Sequence, residues 1–173
     1  RFVRLGADGV DARRAVFAFA KPLWFAAVGA RIGAGTDVPI IGVLYGAATA
    51  GQYALGVALP VAAAGLLFAA MDASFPRMVA AADSERRGMT ASLIFMASFL
   101  ASVGFGFIAL HEDGLLRLWV GSASPLAVNV AVIACVNWTF NAPAHMLVSL
   151  AIARRQHRIV GPIGFGESFG NLA

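Results

Sequence analysis

Long uncharged apolar runs alternate along the chain with short polar clusters. Residues 51–71 contain no charged side chain over 21 positions, and residues 89–110 contain none over 22. About 20 apolar residues are enough for a helix to cross the hydrocarbon core of a bilayer. The predicted spans are residues 15–42, 51–74, 89–110 and 125–152, followed by a fifth that begins at Ile159 and is cut short. The expected fold class is therefore all-α, a polytopic transmembrane helix bundle over residues 15–173, with four full helices, a truncated fifth and a polar cytoplasmic lead-in at residues 1–14.

The composition supports the same class. Hydrophobic residues make up 60% of the chain and charged residues 13%, whereas a typical soluble domain has roughly 25% charged residues. The net charge of +4 does not indicate nucleic acid, because the basic residues lie in short clusters between apolar runs and are not interleaved with aromatic rings. The one cysteine, Cys135, lies in an apolar run and is expected to pack there.

The basic clusters predict the orientation of the spans. Ten of the 13 Lys and Arg residues lie in three segments, residues 1–14, 75–88 and 153–158. The two connections on the other side, residues 43–50 and 111–124, hold Arg117 alone. Lys and Arg concentrate in cytoplasmic loops of membrane proteins. The three basic segments are therefore expected in the cytoplasm and the other two outside.

Small residues at four-residue spacing indicate faces where membrane helices approach closely. The second span carries Ala54, Ala58 and Ala62 at this spacing. We expect this stripe to face a neighbouring helix.

Two cations lie within the first span. Lys21, Trp24 and Arg31 share one face of a helix. Because charged side chains in lipid mostly face protein or water, Arg31 is interpreted as a cavity-lining anion site, for example for a phosphate. Lys21 either joins this site or extends to the lipid headgroups. Asp37, near the outer end of the span, either binds a cation, pairs with Arg31 or is a polar helix-end residue.

The fourth span carries a polar stripe, Asn137, Asn141, His145 and Ser149, at four-residue intervals. These side chains share a helix face, and facing lipid would be costly for all of them. They line a wet cavity or bond to another helix, and a histidine there can also exchange a proton near neutral pH. Glu167 in the truncated span is an ion-coupling candidate beside Asp37. Asp72 is expected to pair with Arg77 or reach the headgroups rather than take part in transport.

No enzyme motif accompanies these residues. The sequence has no phosphate-binding glycine loop and no nucleophile elbow, and His111-Glu112 is not followed by a second histidine at the spacing of a zinc site. We therefore expect no enzymatic activity, no metal and no cofactor.

Two motifs resemble a known family. Residues 36–46 (TDVPIIGVLYG) and 50–56 (AGQYALG) are similar to the junction between the seventh and eighth helices of polysaccharide (Wzx-like) flippases, members of the MOP exporter superfamily. Further similarities are Ser74-Phe75-Pro76 before a charged loop, Leu118-Trp119-Val120-Gly121 before the next helix, and Ala142-Pro143 within the fourth span. The resemblance covers roughly residues 16–173 and rests on short motifs.

The resemblance implies a fragment, mostly the C-terminal lobe, of a transporter with a dozen or more helices. In this family two helical bundles rock about a central cavity and move a lipid-linked oligosaccharide across the bacterial cytoplasmic (inner) membrane. The implied partners are membrane lipid, a polyprenyl-diphosphate-linked glycan and the N-terminal lobe of the same protein, without nucleic acid. Arg31 and Lys21 would hold the diphosphate. The further cavity candidates are Trp24, Asn137, Asn141 and His145.

Two alternatives accompany this hypothesis. A cation-coupled exporter of drugs or peptidoglycan precursors, from the same superfamily, would place carboxylates such as Asp37 and Glu167 in the cavity. A non-transporting membrane scaffold would bury its polar side chains between helices without a cavity.

Overall fold

The computed structural model describes the backbone of residues 9–153 and most side chains in that range, with the gaps concentrated in residues 9–34. The helices in chain order are α1 (Gly9–Tyr45), α2 (Ala47–Asp72), α3 (Phe75–Ala80), α4 (Asp83–Val120) and α5 (Pro125–Ala153). Residues 9–153 contain no strand. The prediction of an all-α helical bundle is therefore confirmed for the described part of the chain.

Two compact units divide the chain. One contains residues 9–36 of the described range, and the other, which we call the bundle unit, is Asp37–Ala153. In the first unit Lys21 is exposed, and the rings of Trp24 and Phe25 meet edge to face with centroids 5.3 Å apart. In the bundle unit the end of α1 is followed by α2–α5.

The junction between α1 and α2 is a single residue, Gly46. Its φ of 88° and ψ of 160° lie in a region that is essentially restricted to glycine. Hydrogen bonds between residues four apart continue on both sides of Gly46. Gly46 N–H donates to the Gly42 carbonyl and Ala50 N–H donates to the Gly46 carbonyl, both at 3.1 Å. The sequence predicted a turn over residues 43–50. That prediction was too long, because one glycine is enough to interrupt the helix.

Three helical segments of the described residues are long and apolar enough to cross a membrane: Ala47–Ala80, Ser84–Val120 and Pro125–Ile152. The helix count therefore differs from the four full spans expected. The first predicted span lies in α1, of which Gly35–Tyr45 is described as a shorter apolar helix. The predicted fifth span, from Ile159, lies outside the described residues.

The bundle unit packs α5 against both α2 and α4. Near the start of both helices, α2 meets α5 at Gly56 and Val130, and near their ends at Asp72 and His145. The two helices therefore run parallel to each other. Helix α4, which lies between them in chain order, runs antiparallel to both. The core consists mainly of small side chains. One cluster contains Ala64, Ala101, Phe105, Cys135 and Ala142, and a second contains Met71, Ala97 and Met146.

A short helix, α3, occupies the segment between α2 and α4. The guanidinium of Arg86 on α4 donates to the carbonyls of Met78 at 2.7 Å and Ala81 at 2.6 Å. These bonds satisfy carbonyls at the C-terminal end of α3 that have no partner within the helix. The expected loop over residues 75–88 is thus mostly helical, which corrects the sequence prediction.

Helix α4 extends past the polar cluster that was expected to end it. The helix continues through residues 111–114 to Val120 and ends at Gly121, whose φ of 82° is the left-handed conformation typical of a helix end. Asp113 and Arg117 form an ion pair at 2.9 Å one turn apart on this extension. Residues 115–120 therefore continue α4, and the connection predicted over residues 111–124 is shortened to residues 121–124. The local ion pair and apolar residues keep the polar cluster helical.

Candidate functional site

An acid and a base meet where α2 ends against α5. His145 Nε2 lies 2.9 Å from Asp72 Oδ1. Asp72 is the last residue of α2, and His145 lies in the C-terminal third of α5. The side chains are about half and one third exposed. Asp72 was expected to pair with Arg77 or reach headgroups. Its observed partner is instead a histidine 73 positions away in the sequence.

One aromatic ring stacks on the imidazole, and a second ring packs against the first. Phe68 stacks on His145 with centroids 4.3 Å apart and an angle of 15°. The ring of Trp138 packs edge to face against the ring of Phe68, with centroids 5.6 Å apart. Phe68 and Asp72 are one turn apart on α2 and share a face. One face of α2 therefore supplies both the ring that supports the histidine and the carboxylate that bonds to it.

The pair opens into a groove of about 420 Å³. Its lining combines the two ionisable groups with Ser149 and the apolar side chains of Phe75, Pro76, Val148 and Ile152. Such a lining can contact a polar head group and an apolar chain together. Among the polar residues predicted on the fourth span, His145 and Ser149 line this groove.

The electrostatics of the groove are set by its position at a helix end. The C-terminus of a helix carries partial negative charge from carbonyls without partners. Asp72 adds its carboxylate at that end of α2, so the imidazole faces negative charge from two sources.

The other two members of the polar stripe bond to each other. Asn141 Nδ2 donates to Asn137 Oδ1 at 2.9 Å and to the Asn137 carbonyl at 3.1 Å. Both side chains are exposed. The structure therefore places them on the same helix as the groove residues but outside the groove lining. The prediction that they face protein or water in the membrane stays a prediction.

Asp37 has a partner within the family-like motif. Tyr53 Oη donates to Asp37 Oδ2 at 2.9 Å, across the Gly46 junction. The bond joins the end of α1 to α2 and places one residue from each predicted motif in contact. A pair with Arg31 was one of three alternatives for Asp37. It stays untested, because the side chain of Arg31 lies outside the described residues.

The structure describes the side chains of two of the remaining predicted site residues. Lys21 and Trp24 are exposed in the first unit. The side chain of Arg31 and all of Glu167 lie outside the described residues.

Sequence reasoning missed Glu112. Its side chain is 1% exposed, and neither carboxyl oxygen has a hydrogen-bond partner among the described residues. The sequence placed Glu112 in a connection between helices, so no helix face was predicted for its side chain. Residues seven apart differ by about 20° on a helix. Continuing α4 therefore places Glu112 on the same face as the buried Phe105.

Comparisons with family models, with curated proteins and with solved structures gave no match to this chain. The family resemblance therefore rests on the motifs at residues 36–46 and 50–56, and it enters the functional argument as a prediction.

Proposed function

We propose that this chain belongs to a transporter that moves a lipid-linked oligosaccharide across a bacterial cytoplasmic membrane by alternating access. The single observation that carries the proposal is the groove at Asp72 and His145, which lies between apolar helices long enough to cross a bilayer. Its mixed lining fits an amphiphile. The polar head would occupy the acid–base end and the lipid chain would follow the apolar side chains.

The apolar exterior of the bundle unit supports this role. Phe95, Phe99, Val103, Phe107 and Leu110 are exposed on α4. An exposed apolar surface of this extent fits contact with acyl chains. A lipid-linked substrate can therefore remain in the membrane while its head group enters the groove from the side.

The motif resemblance supplies the rest of the proposal. It assigns Arg31 and Lys21 to the diphosphate, because guanidinium and ammonium groups bind phosphate oxygens through charge-assisted hydrogen bonds. It also assigns a second lobe, which provides the other wall of the cavity. The multi-pass orientation with residues 75–88 and 153–158 in the cytoplasm belongs to the same proposal.

A second candidate is a proton-coupled exporter of drugs or peptidoglycan precursors. The observation that favours it is the carboxylate–imidazole pair itself, since such a pair can take up and release a proton during a transport cycle. In this function His145 would act on the driving ion rather than on the substrate.

The test compares two histidines that have similar stacking but different partners. His145→Ala removes the base of the groove. His111→Ala removes an exposed histidine that stacks on Phe107 at 4.4 Å. Both variants are placed in the full-length protein, and the measured quantity is lipid-linked glycan reaching the outer leaflet at equal membrane expression. We expect His145→Ala to lose most export and His111→Ala to retain it.

Equal export by His145→Ala and unaltered protein would contradict the groove as the site of transport. Proteoliposomes with an imposed pH gradient distinguish the second candidate. Proton-driven uptake of a cationic dye that depends on His145, together with normal glycan export, would favour the drug-exporter function.

A further inference from the structure

Glu112 is a carboxyl group buried in the bundle unit without a visible partner. Its side chain is 1% exposed, although it lies in the polar cluster His111-Glu112-Asp113 of α4. Oε1 and Oε2 are both buried, and neither is within hydrogen-bond distance of a donor among the described residues. An ionised carboxylate in this position would lose its hydration without compensation, which is strongly unfavourable.

The surroundings of Glu112 are apolar. On α4 it shares a buried face with Phe105 and Leu116. On α5 the buried thiol of Cys135 lies within electrostatic range of the Glu112 carboxyl group. A neutral thiol can neither balance a negative charge nor coordinate a hard cation well.

Among the described residues of α2–α5, the other ionisable groups bond to partners or lie at the opposite ends of the helices. On α2, Tyr53 bonds to Asp37, and Asp72 bonds to His145 of α5 at the far end of both helices. On α4, His111 Nδ1 lies 2.9 Å from the Phe107 carbonyl, and Asp113 pairs with Arg117. On α3, Arg77 lies beside the opposite end of α4.

A metal ion fits this position poorly. Calcium and magnesium need several oxygen ligands. The described residues contain no group of three or more His, Cys, Asp or Glu side chains that could hold a metal. A proton, in contrast, needs one carboxylate and removes the buried charge.

We propose that Glu112 is a proton-binding site whose occupancy controls the packing of α4 against α5. With the proton bound, the neutral acid remains buried and the helices stay packed as described. When the proton leaves, the carboxylate requires water or a donor, so α4 and α5 separate locally and expose Cys135. Glu112 thereby links proton release to a change in helix packing, independently of which substrate the groove accepts.

The chain carries a built-in reporter for this motion. Cys135 is its one cysteine and is 1% exposed. Alkylation of Cys135 by N-ethylmaleimide, which crosses membranes, is followed in the full-length protein from mildly acidic to mildly alkaline pH, by mass spectrometry of the peptide that contains this residue. Glu112→Gln mimics the protonated acid and is the comparison at each pH. The alkylation rate of the unaltered protein is divided by that of Glu112→Gln at each pH. This ratio removes the ordinary increase of the Cys135 thiolate fraction with pH, which both proteins share.

We expect the ratio of unaltered protein to Glu112→Gln to increase with pH by up to about tenfold per pH unit, since one proton controls the opening. A fixed charge would act in the opposite direction, because a carboxylate beside the thiol disfavours the thiolate and slows alkylation. A ratio that stays constant or falls with pH would overturn the proposal. Repeating the series with sodium replaced by choline tests for a cation, and a sodium requirement for burial of Cys135 would also overturn it.

Infrared spectroscopy covers the case in which Glu112→Gln does not fold. The chain contains three glutamates, Glu85, Glu112 and Glu167, and Glu85 is exposed. With isotope-labelled glutamate, we expect the carbonyl stretch of a protonated carboxylic acid at neutral pH, and Glu112→Asp should remove the labelled band because aspartate carries no label. The Glu167→Gln control should retain this band. Loss of the band in that control, or its absence from the unaltered protein, would contradict a protonated Glu112.

Discussion

Two histidines of the bundle unit stack on phenylalanine rings in nearly the same way. His145 lies on Phe68 at 4.3 Å, and His111 lies on Phe107 at 4.4 Å. Phe107 precedes His111 by one turn of the same helix, so that contact is local. The partners of His145 come from another helix and include a carboxylate. Among the described residues, the tertiary partner is therefore what makes His145 a candidate for proton exchange and His111 a control.

At the residue scale, the first prediction concerns Arg31. Inserting an arginine at the centre of a membrane helix costs about 2.5–3.5 kcal/mol on insertion scales, so a purely structural position would favour an apolar residue. We expect Arg31→Ala in the full-length protein to abolish export of lipid-linked glycan while membrane insertion stays intact. Arg31→Lys should keep partial activity, because the charge remains but bidentate phosphate binding is lost. The measurement is glycan export at matched expression.

The second variant is Lys21→Ala, which removes the other candidate anion ligand on the same predicted helix face. Its glycan export is measured in the same way. Normal export by Arg31→Ala would assign Arg31 a structural role and remove the anion site from the proposed mechanism.

At the element scale, glycine sets the closest approach of α2 to α5. A Cβ added to Gly56 would lie 2.5 Å from the Ala127 carbonyl oxygen and 2.8 Å from Val130 Cβ. The first of these is backbone and cannot turn away. The contact thus fixes how α2 and α5 are spaced at their starts, and through two stiff parallel helices it affects the position of Asp72 relative to His145.

The element-scale prediction uses two glycines of one helix. Gly56→Ala should destabilise the bundle by about 1–3 kcal/mol, the usual cost of overpacking. Gly65→Ala, where an added Cβ meets nothing within 4 Å, should be neutral or stabilise by about 0.5–1 kcal/mol through helix propensity. Thermal unfolding of the purified full-length protein in detergent measures both changes.

Equal stability of the two variants would contradict a tight α2–α5 contact at Gly56. A loss in Gly65→Ala alone would instead place the close contact on the opposite face of α2.

At the scale of the whole molecule, the charged side chains of α2 and α4 lie toward the ends of these helices, and the middle segments are uncharged. The middle of α4 is uncharged over residues 89–110, while the 38-residue helix measures about 57 Å at 1.5 Å per residue. A hydrocarbon core of about 30 Å covers little more than half of that length. The charged ends of α4 therefore lie near or beyond the two membrane surfaces in the proposed topology.

The whole-molecule prediction tests that topology with exposed serines at opposite ends of α4. Ser84→Cys, in a basic segment, should resist a membrane-impermeant maleimide in intact cells and react in inverted vesicles. Ser122→Cys should show the reverse, because positively charged segments stay in the cytoplasm. Both positions are exposed, and the native Cys135 is buried, so it contributes little background.

Labelling of Ser84→Cys from outside, with Ser122→Cys protected, would invert the orientation. Labelling of both from the same side would contradict a single crossing by α4.

The sequence by itself determined the class of the protein and most of its helical segments. Long uncharged runs are a local property, and in lipid each backbone polar group must be satisfied within its own segment, which selects helices. The same local pattern indicated the polar stripe of α5, including His145. It also drew attention to residues 36–46, where Asp37 is now seen to bond with Tyr53.

The tertiary structure decided which faces pack and which polar groups meet. The sequence favoured Ala54, Ala58 and Ala62 as the contact stripe of α2. The buried positions include Gly56, Pro60 and Ala64 instead, a shift of two residues or about 200° around the helix. A helix rich in small residues has several faces that allow close packing, and the contact with α5 determines which of them is buried. The pairing of Asp72 with His145 and the burial of Glu112 depend on that selection, because contacts between distant segments exist only after the helices have packed.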